Sequence, residues 1–188
     1  MNSPDDEDIL CIQRVLAGDR EAFSSIVSRY ERRLRSYCRS RLPEAEVDDT
    51  VQDILVRAFR GLGGFRLGSS FSPWLFTIAF NVIAGRKHRF RNEEEKRQRI
   101  AAEPARAFDE NEGFHLLEAE ALLSAVRSLQ GMYRDVVEMY YYADLGVEEI
   151  AKVLGVGTEA VKTRLFRARK MLRVALEGGN REGSREVY

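Results

Sequence analysis

The residues best suited to chemistry in this chain form a basic run near its C-terminal end, KTRLFRARK. Helical spacing places Thr163, Phe166, Arg167 and Lys170 on one face, with Lys162 on its flank. Lysine and arginine neutralise phosphates, while short or apolar side chains contact base edges in a DNA groove. We therefore predict a DNA contact here. A solvated amphipathic helix is the alternative that the charge pattern alone leaves open.

The elements around this run predict a helix-turn-helix. The stretch VEEIAKVLG is typical of a short helix that Gly155 ends, and a tight turn follows it. The next helix begins at Gly157 or Thr158. Its apolar residues share one narrow face, which we expect to pack on the preceding helices: Val161, Leu165, Ala168 and Leu172. In this layout the second helix enters the DNA major groove.

No set of side chains in the sequence indicates a catalytic or metal site. Cys11 and Cys38 form no CxxC pair, and His88 and His115 are isolated. We expect both cysteines to be reduced, as in a cytosolic protein. The N-terminus is acidic and does not resemble a signal peptide. The apolar run Phe71–Ala84 is too short to span a membrane. These features predict a cytoplasmic protein that is not an enzyme and that needs no cofactor or metal.

Helical periodicity runs through most of the chain and predicts an all-α fold. Two apolar stripes define the first helices, Phe23/Ile26/Val27/Tyr30/Leu34/Tyr37 and Val47/Val51/Ile54/Ala58/Leu62. Asp19 stands where a helix N-cap is expected, after Gly18. We predict two small helical domains joined by a charged flexible linker. Their bounds are 8–91 and 116–177, with the linker at 92–115 and a disordered tail at 178–188.

The linker has an alternative interpretation. Its composition is polar, so it cannot bury enough surface to pack alone, but an exposed helix around Glu93–Ala101 fits the same residues. As a flexible coil of about 24 residues it would average about 25–30 Å, and it would reach about 80 Å when extended. We expect it to be stretched only when both domains are held in place, and the free protein to be compact or variable.

The C-terminal half resembles region 4 of bacterial sigma factors of the extracytoplasmic-function type. The resemblance rests on LQGMYRDVVEMYYYADLGVEEIA followed by LGVGTEAVKTRLFRARKML. It implies recognition of the promoter −35 element, with Lys162, Thr163, Phe166 and Arg167 facing the major groove. This chain departs from many relatives at Gly157, Glu159 and Ala160. Tyr140 stands where an arginine is common.

The helix around DDTVQDILVRAFRG has polar residues outside its apolar stripe. From the residues alone, an interface and a chance exposed valine are equally supported. The motif D-x-x-Q-D is similar to region 2 of the same sigma factors, where this surface binds a coiled coil of the β′ subunit of RNA polymerase. The resemblance implies that the following residues contact polymerase: Asp49, Gln52, Asp53, Val56 and Arg60.

The segment SSFSPWLFTIAFNVIAGRKHRFR continues the likeness to region 2, which opens the promoter −10 element and holds unstacked bases. Single-stranded DNA is bound by stacking and by charge along its backbone. The residues implied are Ser70, Phe71, Asn81, Arg86, Lys87 and Arg89. We expect Trp74 to be a core residue. Relatives often carry arginine where this chain has Thr77 and Phe80, so this surface is less basic than usual.

The resemblance implies a subunit that directs core RNA polymerase to promoters, through the β′ coiled coil and the β flap, and that an anti-sigma factor sequesters. Lysine plus arginine and aspartate plus glutamate both number 30, so the net charge is zero. Such a chain should bind DNA weakly alone. The alternatives are an autonomous helix-turn-helix regulator and a helical adaptor that occupies polymerase without starting transcription.

Overall fold

The structure is a computed structural model that describes residues 4–98 and 114–182, with side chains at 6–89 and 121–177. Every regular element within those ranges is helical, as predicted. The N-terminal group contains α1 (Pro4–Leu16), α2 (Phe23–Arg39), α3 (Val47–Gly61) and α4 (Phe71–Gln98). The C-terminal group contains α5 (Phe114–Ser128), α6 (Gly131–Tyr141), α7 (Val147–Leu154) and α8 (Thr158–Glu182).

Both predicted apolar stripes lie inside the N-terminal group. Ile26, Leu34 and Tyr37 of α2 and Ile54 and Ala58 of α3 are fully buried, as their i, i+3, i+4 spacing predicts. Burying each large apolar side chain contributes about 1.5–3 kcal/mol. The side chain of Asp19 accepts a hydrogen bond from the Ala22 backbone N–H at 3.3 Å, so the predicted cap lies on the short 3₁₀ turn that leads into α2.

Helix α1 is attached to α2 through a buried carboxylate. Asp8 is fully buried, and it accepts hydrogen bonds from the Tyr30 hydroxyl and the Arg29 guanidinium. A second carboxylate, Glu7, bonds Arg29 at 2.8 Å nearer the surface. Because an unpaired buried charge is strongly unfavourable, this set of partners fixes how α1 lies on the bundle. Burial, followed by the hydrogen bond to Asp8, raises the pKa of Tyr30.

The two cysteines are free, as predicted. Cys38 is fully buried and Cys11 is partly buried. Burial raises the pKa of the Cys38 thiol to about 12, so this thiol stays protonated and unreactive at neutral pH. Within the described residues no group of histidine, cysteine and carboxylate side chains could hold a metal ion, and no helix is long and apolar enough to cross a membrane.

Helix lengths differ from the sequence prediction at two places. Helix α4 continues to Gln98, seven residues into the predicted linker, so the backbone there is helical, as in the alternative interpretation. Its residues 92–98 are all charged or amide-bearing, and apart from Asn92 they are among the better helix formers. Helix α8 continues to Glu182, past the predicted start of the disordered tail at residue 178. The rest of the linker and tail predictions lie outside the described residues.

The two groups of helices are packed against each other. Helix α4 runs along α7, and two arginines of the N-terminal group reach the C-terminal group. Arg33 donates to the backbone carbonyls of Ala143 and Asp144, both at 2.8 Å, and Arg41 donates to Asp135 at 2.7 Å. The two groups of helices are therefore in direct contact in this conformation.

Candidate nucleic-acid interface

Helices α7 and α8 form the predicted helix-turn-helix. Glu149 caps α7 by accepting the Gly146 backbone N–H at 2.8 Å. Gly155 ends α7 in the left-handed conformation, with φ of 64°, and Thr158 begins α8. The predicted inner face of α8 is buried, with Val161 and Ala168 at 0% exposure. Helix α8 is therefore held by its apolar face, and its other face is left open.

Gly155 offers a direct test of that turn. A residue with a Cβ at a left-handed φ costs about 1–2 kcal/mol. We expect Gly155→Ala to lower the free energy of unfolding by about that amount, measured by chemical denaturation. Gly157→Ala is the matched control, because Gly157 does not have a positive φ and no atom lies within 4 Å of a Cβ there. Equal losses in the two variants would contradict the assigned role of Gly155.

The predicted DNA-contacting residues of α8 are all exposed. Phe166 is 71% exposed, and Thr163, Arg167 and Lys170 lie beside it on the same open face. Lys162, on the flank, bonds Glu159 at 2.7 Å, and this hydrogen bond raises the pKa of the Lys162 ammonium. No role was predicted for Glu159, which is exposed at the start of this helix. Its carboxylate partly neutralises the charge of Lys162, the nearest predicted DNA contact.

A tyrosine pair on α6 holds one further arginine of α8. The Arg169 guanidinium lies 5.3 Å from the Tyr140 ring centre and 5.8 Å from that of Tyr141. Its Nε also donates to the Tyr141 hydroxyl at 3.1 Å. Cation–π contacts of this kind stabilise the position of an exposed guanidinium. Tyr140, noted as a departure from the family, therefore supports Arg169 here.

The surface of α3 carries the residues predicted to bind polymerase. Asp49, Gln52 and Arg60 are exposed, and Val56 is 39% exposed. Asp53 is partly buried and accepts from Arg57 at 2.7 Å. Gln52 and Val56 line a groove of about 630 Å³ between α2 and α3. The remaining apolar lining was not predicted to form a binding surface, and it consists of Phe23, Val27, Val51, Leu55 and Phe59.

Three of the six residues predicted to contact the −10 element remain accessible. Asn81 and Arg89 are exposed on α4, and Ser70 is partly exposed just before that helix. Phe71 is fully buried. Its ring packs against Tyr30, Phe65 and Trp74 with centroid separations of 5.4–5.6 Å. In this conformation Phe71 therefore packs inside the protein and supports the loop. The prediction that it contacts a DNA base is corrected accordingly. Trp74 is partly buried and packs against the core, which agrees with its predicted anchoring role.

Arg86 faces the interior of its own domain. Its guanidinium donates to the Glu46 carboxylate at 2.7 Å and to the Asp49 carbonyl at 3.4 Å, and it lies 3.9 Å from Asp53. With its side chain only 15% exposed, Arg86 joins α4 to the start of α3. It is not free to follow a DNA strand in this conformation. We therefore reassign it as a support for the α3 surface.

Lys87 is half-buried between the two groups of helices. Burial, followed by the nearby charge of Arg41, lowers the pKa of its ammonium group. The negative charges of Glu138 and Asp135, both on α6, act on Lys87 in the opposite direction and raise its pKa. Lys87 is therefore only partly accessible in this conformation, because of packing that sequence patterns do not show.

Comparisons with known proteins agree with this geometry. Residues 26–91 match the family Sigma-70 region 2, and residues 119–172 match Sigma-70, region 4. The chain is 31% identical over 165 residues to the ECF RNA polymerase sigma factor BldN of Streptomyces coelicolor. The matched region covers 86% of this chain and 62% of BldN.

Two solved structures have the same fold. The structure of CnrH in complex with the cytosolic domain of CnrY superposes with a TM-score of 0.72 at 28% identity, covering 92% of this chain and 99% of that one. The structure of the sigma factor RpoE with the anti-sigma factor NepR from Bartonella quintana superposes with a TM-score of 0.66 at 23% identity. The match covers 82% of this chain and 96% of that one.

The fold and the two surfaces define a two-domain DNA-binding protein with a helix-turn-helix in its second domain. The chain belongs to the sigma-70 family, in its extracytoplasmic-function group. Sigma factors bind core RNA polymerase and promoter DNA.

Proposed function

We propose that this chain directs core RNA polymerase to a set of promoters, with a separate task for each group of helices. The observation that carries the proposal is that one chain holds an apolar groove beside the D-x-x-Q-D helix and also an open, basic helix-turn-helix. The D-x-x-Q-D helix argues against an autonomous regulator, and the open basic helix-turn-helix argues against a polymerase-blocking adaptor.

The α2–α3 groove supplies the docking site for the β′ coiled coil. Its lining is mostly apolar, and it is rimmed by Gln52, Asp48 and Arg35. An amphipathic helix packs well into a groove of this kind, with its apolar side chains inside and its charges at the rim. Asp49 and Arg60 lie outside the groove lining, so they act at the edge of the contact. Arg86 stabilises the start of α3 through its hydrogen bond to Glu46.

The α8 face supplies the contact with the −35 element. Arg167 can donate two hydrogen bonds to a guanine edge, and Lys170 can neutralise a phosphate. Phe166 projects an apolar ring, which suits contact with a thymine methyl group. The −10 element is contacted by Ser70, Asn81 and Arg89, with Phe71 and Trp74 holding the loop beneath them.

A second apolar groove on the C-terminal group is the candidate site for the β flap. It measures about 670 Å³ and lies between α5, α6 and α8. The basic residues Arg169 and Arg173 stand at its edge, and the apolar lining consists of Leu122, Val126, Val137, Leu172 and Leu176. We infer that an anti-sigma factor covers one or both of the two grooves. The solved complex of RpoE with NepR supports this inference by analogy.

We further infer that the chain works in the cytoplasm, where core polymerase is found, and that it catalyses no reaction itself. Its net charge of zero limits the number of phosphates it can neutralise. Promoter binding should therefore depend on polymerase.

The test uses the full chain, purified core polymerase and a pool of promoter-bearing genomic fragments. We expect the chain to comigrate with core polymerase in a density gradient, and fragments to be retained only when both are present. Retention of a discrete set of fragments by the chain alone, without polymerase, would support an autonomous regulator instead.

A further inference from the structure

The open face of α8 begins with an acid, Glu159, in the first turn of the helix. Residues three, four, seven and eight positions later share a helix face with Glu159, and these are Lys162, Thr163, Phe166 and Arg167. All five are exposed, whereas the positions between them on the other side of the helix are buried or half-buried. Glu159 therefore belongs to the same surface as the predicted DNA contacts.

The place of Glu159 along α8 is also the one at which base contacts concentrate. In a helix-turn-helix the N-terminal residues of the second helix contact base edges, while the first helix crosses the backbone. Because an α-helix rises about 1.5 Å per residue, Glu159 lies about 12 Å from Arg167 along the axis. Successive base pairs are about 3.4 Å apart, so the two side chains reach different base pairs.

Only one oxygen of the Glu159 carboxylate is in use. Its Oε1 accepts a hydrogen bond from the Lys162 ammonium at 2.7 Å. Among the residues that the structure describes, Oε2 has no hydrogen-bond donor, and the side chain is 82% exposed. An exposed ion pair of this kind contributes little to the stability of the fold. Lys162 instead holds the carboxylate in place with one acceptor oxygen open to the groove.

A carboxylate on this surface restricts which DNA can bind well. Every DNA sequence carries the same phosphate charges, so an acid without a donor weakens binding to all of them. In the major groove cytosine offers an amino donor at N4, from which a glutamate can accept. Adenine places the N7 acceptor beside its amino group, and guanine and thymine offer acceptors only. An acid thus favours cytosine and disfavours the other three bases.

We propose that Glu159 is a specificity-determining residue of the helix-turn-helix, and that its free oxygen accepts a hydrogen bond from the N4 amino group of a cytosine. Lys162 positions the carboxylate and adds its own charge near the phosphate backbone. The proposal rests on the proposed function and deepens it, since it names a base that the −35 contact prefers. This base is separate from the one that Arg167 contacts.

The experiment selects sequences from a library of short random duplexes with the full chain alone, at low ionic strength. Low salt strengthens phosphate contacts, so the weak binding of the free chain is sufficient. Sequencing of the bound duplexes gives the base preference at each position. We expect one position at which cytosine is enriched about tenfold, separate from the guanine recognised by Arg167.

Two variants at Glu159 make opposite changes to this preference. Glu159→Ala should remove the cytosine preference and keep the others. Glu159→Gln should shift the preference to adenine, because glutamine can accept from N6 and donate to N7 at the same time. Glutamine is about as good a helix former as glutamate, so α8 should stay intact.

Glu148→Gln is the matched control. Glu148 is an exposed acid on α7, outside the open face of α8, and its charge also acts on Lys162. Losing that charge should leave every base preference unchanged.

Unchanged base preferences in both Glu159 variants, with affinity altered equally for all duplexes, would overturn the proposal, because the acid would then act through its charge alone. A selection in which the unmodified chain enriches no cytosine position would also overturn it. Neither readout uses polymerase, so failure here is distinct from failure of the retention experiment with core polymerase.

Discussion

Val56→Asp is expected to lower the affinity of the chain for core RNA polymerase by about 30-fold or more. Val56 is 39% exposed at the rim of the α2–α3 groove, where an apolar partner side chain would meet it. A carboxylate there would be desolvated without a partner, and loss of a central interface contact costs about 2 kcal/mol or more. Because the valine is at the surface, the fold should tolerate the change.

The measurement is a titration of labelled chain with core polymerase. Leu10→Asp is the matched control, since Leu10 is also an exposed apolar residue, at 56%, but it lies on α1 outside the groove. The control should retain the affinity of the unmodified chain. Equal losses in both variants would indicate that added negative charge, and not the groove, determines the result.

Arg167→Ala is expected to weaken −35 recognition by about 1–3 kcal/mol, roughly 5- to 150-fold in promoter affinity. Arg167 is exposed on the open face of α8, and its fork of donors suits a guanine edge. Preference at one base pair of the −35 element should relax. Affinity for core polymerase should not change, because Arg167 lines neither the α2–α3 groove nor the candidate β-flap groove.

Arg127→Ala provides the control for Arg167→Ala. It removes the same charge from the same group of helices, but from α5, away from the open face of α8. Competition between promoter variants in the presence of core polymerase measures both effects. A uniform loss across all promoter sequences in Arg167→Ala would show that this side chain contacts only the phosphate backbone.

Much of this architecture could be predicted because it depends on local patterns. The stripes of α2 and α3, the Asp19 cap and the Gly155 turn each follow from residues within one or two helical turns of one another. The exposed face of α8 could be predicted because it lies opposite the buried apolar face of the same helix. These features depend on periodicity and backbone conformation, which a sequence displays directly.

The misassigned residues depend on partners far away in the chain. Arg86 looked like its basic neighbours, and only the packing of α4 on α3 shows that it bonds Glu46. Phe71 lies at the edge of a loop in the sequence but in an aromatic cluster in space. The pairing of Arg41 with Glu138 joins residues almost a hundred positions apart. Single-sequence patterns carry no signal for such contacts.

The two grooves and the interdomain contact together suggest an order of events. In the compact chain the α2–α3 groove is open to solvent. Docking on polymerase can therefore begin before the domains separate. If the closed and open states differ little in free energy, polymerase can shift the chain to the open state. A ligand shifts a conformational equilibrium by the difference in its affinity for the two states.

Transcription reconstituted from purified components tests the central claim most directly. The chain is mixed with core polymerase and fragments of its source genome, and the RNA products are mapped. The account predicts discrete start sites that require the chain, that share two conserved elements and that are lost with Val56→Asp. A chain that binds core polymerase but yields no start site on any fragment would contradict it.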